Sequence, residues 1–166
     1  WEEEREPEFE VLVQGNRMSE EEREEFLREF ERKREKSLAA FCVMGGMFSE
    51  GIDLKEERLI GVIAVGTGLP MVCTEQEVLR SYFEEEKRDG FAYAYQYPGM
   101  NKVLQAAGRV IRTATDCGVI GLLDERFLRR DYRGLFPREW SDAHPVTLGS
   151  LAQELQAFWS RFPEAP

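Results

Sequence analysis

Three short apolar runs constrain this chain more than any other feature: Leu38–Met44, Leu59–Val65 and Val119–Leu123. Each is continuous and bounded by glycine or charge, the pattern of parallel strands buried on both faces. Helical patterns lie between and around them. Ser19 and Glu22 form an S-x-x-E capping box, predicting a helix to Lys36 whose thin stripe of Phe26, Leu27 and Phe30 marks it as peripheral. Thr74 and Glu77 predict a second capping box, followed by Val78, Leu79, Tyr82 and Phe83 at helical spacing. Met100–Thr113 predicts a helix, Asp124 caps another that Gly134 and Pro137 end, and Ser150 opens a last one stopped by Pro163. Phe9–Val13 alternates weakly and predicts a strand. Strands alternating with helices imply an α/β fold with a mostly parallel β-sheet flanked by α-helices.

Composition narrows the function classes. At 166 residues the chain suits one domain. Its net charge is -10, which argues against strong nonspecific nucleic-acid binding by the chain on its own, since such binding depends on neutralising phosphates. Cys42, Cys73 and Cys117 are widely spaced without a CxxC, fit neither a disulfide framework nor a zinc site, and suggest a reducing, cytoplasmic setting. His144 is the single histidine, so a multi-histidine metal site is excluded. No apolar run is long enough for a membrane span, and no basic-then-apolar leader is expected. The chain opens on Trp1 rather than Met, so a fragment of a longer protein is expected.

Two constellations carry chemistry. Gly45-Gly46-Met47-Phe48-Ser49-Glu50-Gly51-Ile52-Asp53-Leu54 directly follows the first long apolar run. Open α/β sheets bind ligands at the carboxyl ends of their strands, and glycines let backbone approach a ligand closely. A plain strand-to-loop turn is the simpler alternative. The second constellation is the Met100–Thr113 helix. At about 100° per residue, Gln105, Arg109 and Arg112 fall within roughly 60° of one another. Val103, Leu104, Ala107, Val110 and Ile111 take the other side. Gly108 lies beside the polar face, where its missing side chain permits close approach. Two arginines one turn apart suit an anionic ligand, phosphate above all. An amphipathic surface helix with solvated arginines fits the same spacing, and geometry alone does not choose between them.

Together the strings G-G-M-F-S-E-G-I-D-L and Q-A-A-G-R-V-I-R-T, in this order, resemble motifs V and VI of superfamily-two helicases. The S-E-G-I-D form, Asp116-Cys117-Gly118 and Leu122-Leu123-Asp124-Glu125-Arg126-Phe127 are similar to the DinG/XPD branch of DNA helicases, as is Gly68-Leu69-Pro70. The resemblance runs from about Phe9 to about Pro137. It implies the second of two RecA-like motor domains, over residues 1–140, with 141–166 as a carboxy-terminal loop and helix packed on it. It also implies that the domain's first strand precedes Trp1, which would leave an unpaired sheet edge through which a dimer can form.

The resemblance implies an ATP-dependent, 5′ to 3′ DNA helicase involved in DNA repair, with ATP and magnesium held mainly by a first RecA-like domain of the same polypeptide. Arg109 and Arg112 match the motif VI arginines that reach the γ-phosphate, and Gln105 the motif VI glutamine. Asp53 would lie near the ribose, Glu50 and Gly51 would hold the loop, and Ser49 would contact a phosphate of single-stranded DNA. The sequence lacks G-x-x-x-x-G-K-[ST] and a DEAH-like metal motif, so the chain alone is expected to be inactive. Branch members commonly carry an iron–sulfur cluster on four cysteines of the first motor domain, a set that Cys42, Cys73 and Cys117 do not supply. The alternative is a catalytically inactive RecA-like domain that senses nucleotide or binds protein.

Three further features carry two readings or a plain one. Tyr93, Tyr95 and Tyr97 alternate like an extended segment, which either packs beneath the motif VI helix, the favoured reading, or stacks on bases in a DNA motor. His144 reads as a solvated loop residue. Arg126, Arg129, Arg130 and Arg133 either track a phosphate backbone or form a solvated face balanced by Asp124, Glu125 and Asp131.

Overall fold

The computed structural model describes residues 9–46, 59–111 and 116–162. Strand β1 (Phe9–Val13) leads into helix α1 (Glu20–Glu29) and strand β2 (Ser37–Phe41). The second unit runs from β3 (Gly61–Val65) through α2 (Thr74–Glu85), a π-helical turn (Ala92–Gln96) and α3 (Tyr97–Ala107) to β4 (Val119–Leu123). After β4 come a 3₁₀ turn (Glu125–Leu128), α4 (Arg130–Arg133), a second 3₁₀ turn (Arg138–Trp140) and α5 (Leu148–Trp159). Both ladders are parallel: β1 pairs with β2, Val11 opposite Ala39, and β3 pairs with β4, Ile63 opposite Gly121. Parallel neighbours need a crossover, and helices supply it in both cases.

The α/β architecture with parallel sheets is the one the apolar runs predict. Their burial is not. Among the described residues each two-stranded ladder is covered on one face only. Leu12 and Ala40 pack on Phe26 of α1, while Phe9, Val11, Val13 and Phe41 stand exposed on the other side. Ala64 and Leu122 join the main core, while Ile63, Val65 and Leu123 are exposed. Continuous apolar runs do identify strands, but the period-two geometry turns half of each run away from its covering helix.

Element ends depart from the sequence expectations for local reasons. The first apolar run pairs only as Ser37–Phe41, because a turn follows in which Gly46 N–H donates to the Val43 carbonyl. Helix α1 stops at Glu29 rather than Lys36. Its capping box is present, with Glu22 N–H donating to Ser19 Oγ at 3.2 Å and Ser19 N–H to Glu22 Oε2 at 2.6 Å. Its far end is set by Arg34, which turns back to the carboxylates of Glu29 and of Glu10 on β1 and donates to the Glu29 carbonyl at 2.8 Å. That ion-paired turn returns the chain to start β2 beside β1. For α2 the cap position belongs to Cys73, not Thr74, and makes no side-chain cap bond. For α5 the cap is Thr147, and Ser150 is its capping-box partner three residues on rather than the opening residue.

The main core is built from Ala64, Met100, Val103, Phe127 and Tyr132, with Met44, Leu104, Leu122 and Trp140 around them. Val103 and Met100 are 0% and 1% exposed, which makes α3 the element the core closes on. The segment after β4 folds against this helix. Asp124 caps as predicted, accepting from Arg126 N–H at 2.9 Å, but the single helix expected from there to Gly134 is broken at Arg129, whose extended backbone separates the 3₁₀ turn from α4.

Candidate functional site

The predicted Met100–Thr113 helix exists but sits earlier in the chain. Regular α-helix covers Tyr97–Ala107, with Gly108 as its cap. Beyond it the chain tightens into 3₁₀-type bonds, Arg109 N–H to the Ala106 carbonyl at 3.2 Å and Val110 N–H to the Ala107 carbonyl at 3.1 Å. The helix therefore ends just before Arg109 and presents it from a tight turn. Gln105 is exposed, Gly108 is exposed in ordinary right-handed geometry, and Arg109 is half-buried. Val110 is buried. Val103, Ala107 and Val110 keep the expected apolar side, but Ile111, expected with them, is exposed, because the chain has left the helix by that point. Arg112, Ser49, Glu50, Gly51 and Asp53 lie outside the described residues.

Glycines explain how this tail is held. A Cβ on Gly118 would sit 2.2 Å from Val110 Cγ1 and 2.9 Å from the Ile60 carbonyl oxygen. The absence of a side chain at Gly118 thus lets Val110 lie against the start of β4, and Val110 in turn anchors the residue before it, Arg109. At the other end of α3, a Cβ on Gly99 would sit 2.6 Å from the Thr67 carbonyl oxygen. Gly68, with φ +66°, faces the Gly99 carbonyl equally closely. The Gly66–Pro70 loop, which carries the predicted Leu69-Pro70 pair, is therefore pressed on the first turn of α3. The Thr67 hydroxyl is buried there without a hydrogen-bond partner, an arrangement that costs about 1–3 kcal/mol and persists only where the surrounding contacts hold it.

The first constellation reaches α3 as well. Gly45 follows β2 with φ +76°, a backbone region open to glycine at little cost. A Cβ there would meet Lys102 Cδ at 2.7 Å and Cε at 2.9 Å. So the loop that begins at Gly45 and the helix that carries Gln105 and Arg109 touch through the stem of Lys102. Gln14 braces the same turn by accepting from Val43 N–H at 2.8 Å. Sequence reasoning did not single out Lys102. It lies three residues before Gln105, one turn earlier on the same helix.

The tyrosines form no extended segment. Asp89 Oδ1 accepts from Ala92 N–H at 2.9 Å and starts a helical path through the π turn. Phe91 stacks on Tyr95 and Tyr93 meets Tyr97 edge-on, four residues apart in each case. The alternation therefore reports a period of four, not two. Tyr93 also stacks on Phe83 of α2 at 4.2 Å, so these rings pack on one another and on α2, and the segment leads into the motif VI helix instead of lying beneath it. Tyr95 OH donates to Glu77 Oε1 at 2.5 Å, and that bond to a carboxylate raises its pKa to about 12.

The arginines after β4 are mostly engaged. Arg126 grips Asp124 through two nitrogens at 2.7 and 2.8 Å and holds that carboxyl down at about 2. Arg129 holds Asp131, and Arg133 donates to the Ala143 carbonyl at 2.7 Å. His144 is exposed, 3.7 Å from Glu154. Among the described residues no group of three His, Cys, Asp or Glu side chains is arranged to hold a metal ion, and no helix is long and apolar enough to cross a membrane.

Parallel ladders crossed over by helices, with a glycine-opened loop at the end of β2 against an arginine-bearing helix, define a RecA-like domain. The helicase C-terminal domain family matches residues 1–143, and the chain belongs to it. The chain is 29% identical over 117 residues to a probable ATP-dependent helicase of Methanocaldococcus jannaschii, covering 65% of this chain and 18% of that protein. It is 30% identical over 118 residues to the ATP-dependent DNA helicase chl-1 of Caenorhabditis elegans, covering 70% and 14%. It is 31% identical over 103 residues to the general transcription and DNA repair factor IIH helicase subunit XPD of Arabidopsis thaliana, covering 58% and 13%. The chain spans less than a fifth of the length of these relatives.

Proposed function

We propose that this chain is the second RecA-like motor domain of an ATP-dependent, DinG-like DNA helicase moving 5′ to 3′ on single-stranded DNA in the cytoplasm. The observation that supports the reading is α3 itself, which carries exposed Gln105, leads through its Gly108 cap into Arg109, and meets the loop from Gly45 through the stem of Lys102. In this reading a first RecA-like domain of the same polypeptide holds ATP and magnesium, and closure of the cleft brings Arg109 and Arg112 to the γ-phosphate. Two guanidiniums there offset the charge that builds on the phosphoryl oxygens, a contribution worth about 10³–10⁵ in rate. Gln105 belongs to the same polar face. Asp53 faces the ribose, Glu50 and Gly51 shape the loop, and Ser49 takes a strand phosphate. Without the first domain the chain hydrolyses no ATP.

The test is ATPase activity of the full-length protein with and without single-stranded DNA, beside the same assay on this chain. Hydrolysis stimulated by DNA in the full-length protein alone is expected. Arg109→Ala and Arg112→Ala should each remove most of it and leave the unfolding midpoint unchanged. Near-normal turnover in both variants would refute the arginine assignment.

A further inference from the structure

We propose that the outer face of α2 is a docking surface for another protein, one that offers a helix whose apolar side chains are flanked by lysine or arginine; the proposal does not depend on the motor-domain reading. Helix α2 is held from one side only. Phe83 stacks on Tyr93 at 4.2 Å, and Glu77 Oε1 accepts from the Tyr95 hydroxyl at 2.5 Å, which fixes that side to the π turn. Glu75, Val78, Tyr82 and Glu85 follow one another at helical spacing and run along the opposite side. Val78 is 65% and Tyr82 56% exposed, and Met71 and Val72, which lead into the helix, are 84% and 73% exposed. No residue of α2 is buried. Large apolar side chains scattered singly over a surface are ordinary, but several gathered on one short segment mark a site of protein contact.

Charge selects the partner. Residues 71–90 carry six acidic and three basic side chains. Two of the basic ones are turned to the segment's own groups: Arg80 pairs with Glu84 at 2.9 Å and Glu77 at 3.6 Å, and Arg88 lies over the Tyr93 ring. Glu75, Glu85 and Glu86 are ion-paired to no described residue. Val78 and Tyr82 thus lie between one carboxylate a turn before them and two after. Such a face repels a nucleic acid, whose affinity comes from phosphates meeting cations. A protein helix that sets apolar side chains on Val78 and Tyr82, and cations beside Glu75, Glu85 and Glu86, matches both halves of the surface. Tyrosine suits the contact, since its ring supplies apolar area and its hydroxyl stays wet. Helix α1 is the contrast within the same chain. It carries Glu20, Glu21, Glu24 and Glu25, but Phe26 is buried and none of its large apolar side chains is exposed, so it has the charge without the apolar stripe.

The probe is a short helical peptide of leucine and lysine, titrated against the full-length protein by fluorescence anisotropy beside the same peptide with serine in place of leucine. The leucine peptide should bind at least about tenfold more tightly than the serine peptide. Val78→Ser with Tyr82→Ser should weaken the leucine peptide about tenfold and leave the urea midpoint unchanged, because both side chains are exposed. Glu85→Lys with Glu86→Lys should weaken it about threefold and lessen its salt dependence, whereas Glu24→Lys with Glu25→Lys on α1 should leave it within about twofold. Binding that Val78→Ser with Tyr82→Ser leaves unchanged overturns the proposal, as does a serine peptide that binds as tightly, since charge alone would then be at work. Three other results overturn it by naming a different occupant. A peptide displaced by an oligothymidylate strand makes the face a nucleic-acid site. A dimer seen by light scattering and dissolved by Val78→Ser with Tyr82→Ser makes the occupant a second copy. A peptide that binds this chain but not the full-length protein shows the face covered within its own polypeptide.

Discussion

Gly118→Ala tests how the arginine-bearing end of α3 is held. The added methyl would meet Val110 Cγ1 at 2.2 Å and the Ile60 carbonyl oxygen at 2.9 Å. Val110 is only 5% exposed, so it cannot swing away without losing its burial. Overpacking of this kind costs about 1–3 kcal/mol, and the backbone contact puts this case near about 3. Val110→Ala by itself removes two methyl groups, about 1.6 kcal/mol at roughly 0.8 each, or about 2 with the small cavity left behind. Independent effects would sum to about 5 kcal/mol. The Val110→Ala change, however, deletes the atom the new methyl strikes. The double variant should therefore cost about 3, a coupling of about 2 kcal/mol. Urea unfolding followed by tryptophan fluorescence reads this out, because Trp140 packs against Phe136 in the same core. The denaturant slope should stay constant across the series. A double variant whose loss equals the sum of the singles would refute the claim that Val110 is what excludes a side chain at position 118.

Two other perturbations follow from contacts already described. Gly99→Ala drives a methyl to 2.6 Å from the Thr67 carbonyl oxygen, whereas Gly66→Ala meets nothing within 4 Å and bears only the strain of φ +83°. The first should cost about 2–3 kcal/mol and the second about 1, read by the same urea unfolding, and equal losses would mean that backbone strain rather than crowding governs this loop. Asp124 titrates at about 2 when folded against an ordinary value of 3.8, held down by Arg126. Its contribution is therefore present above pH 4 and lost as pH falls towards 2. With Arg126 partly exposed the contribution is about 1 kcal/mol after screening, and Asp124→Asn should lower stability at pH 7 by about that while leaving it unchanged at pH 2. A deficit that persists undiminished at pH 2 would refute the ion-pair assignment.

The parts legible in the sequence are those that depend on neighbours along the chain. Three apolar runs and the alternation at Phe9–Val13 marked the four described strands, with Phe9–Val13 and Val119–Leu123 correct at both ends. The Ser19/Glu22 box and the Asp124 cap involve groups two or three residues apart, and both formed as read. The string from Gln105 through Arg109 marked the helix that organises the site and pointed to the family that the chain belongs to. The tyrosine segment misled because its spacing satisfies two periods at once. The choice between them fell to Asp89 and to ring contacts with Phe83, which lies ten residues away.

What only the tertiary structure decided was closeness between segments far apart in sequence. Gly118 is silent until Val110 is seen against it, and Gly99 until Thr67 is. Lys102 looks like any solvated helix cation until its stem is found across Gly45, 57 positions earlier. The end of α1 was set by Arg34 reaching Glu10 on a strand. Local pattern determines which elements form, because propensity, capping and periodicity act within a few residues. Where a helix stops and which face of a strand stays covered depend on packing partners, and those are fixed when the crossovers close the parallel ladders.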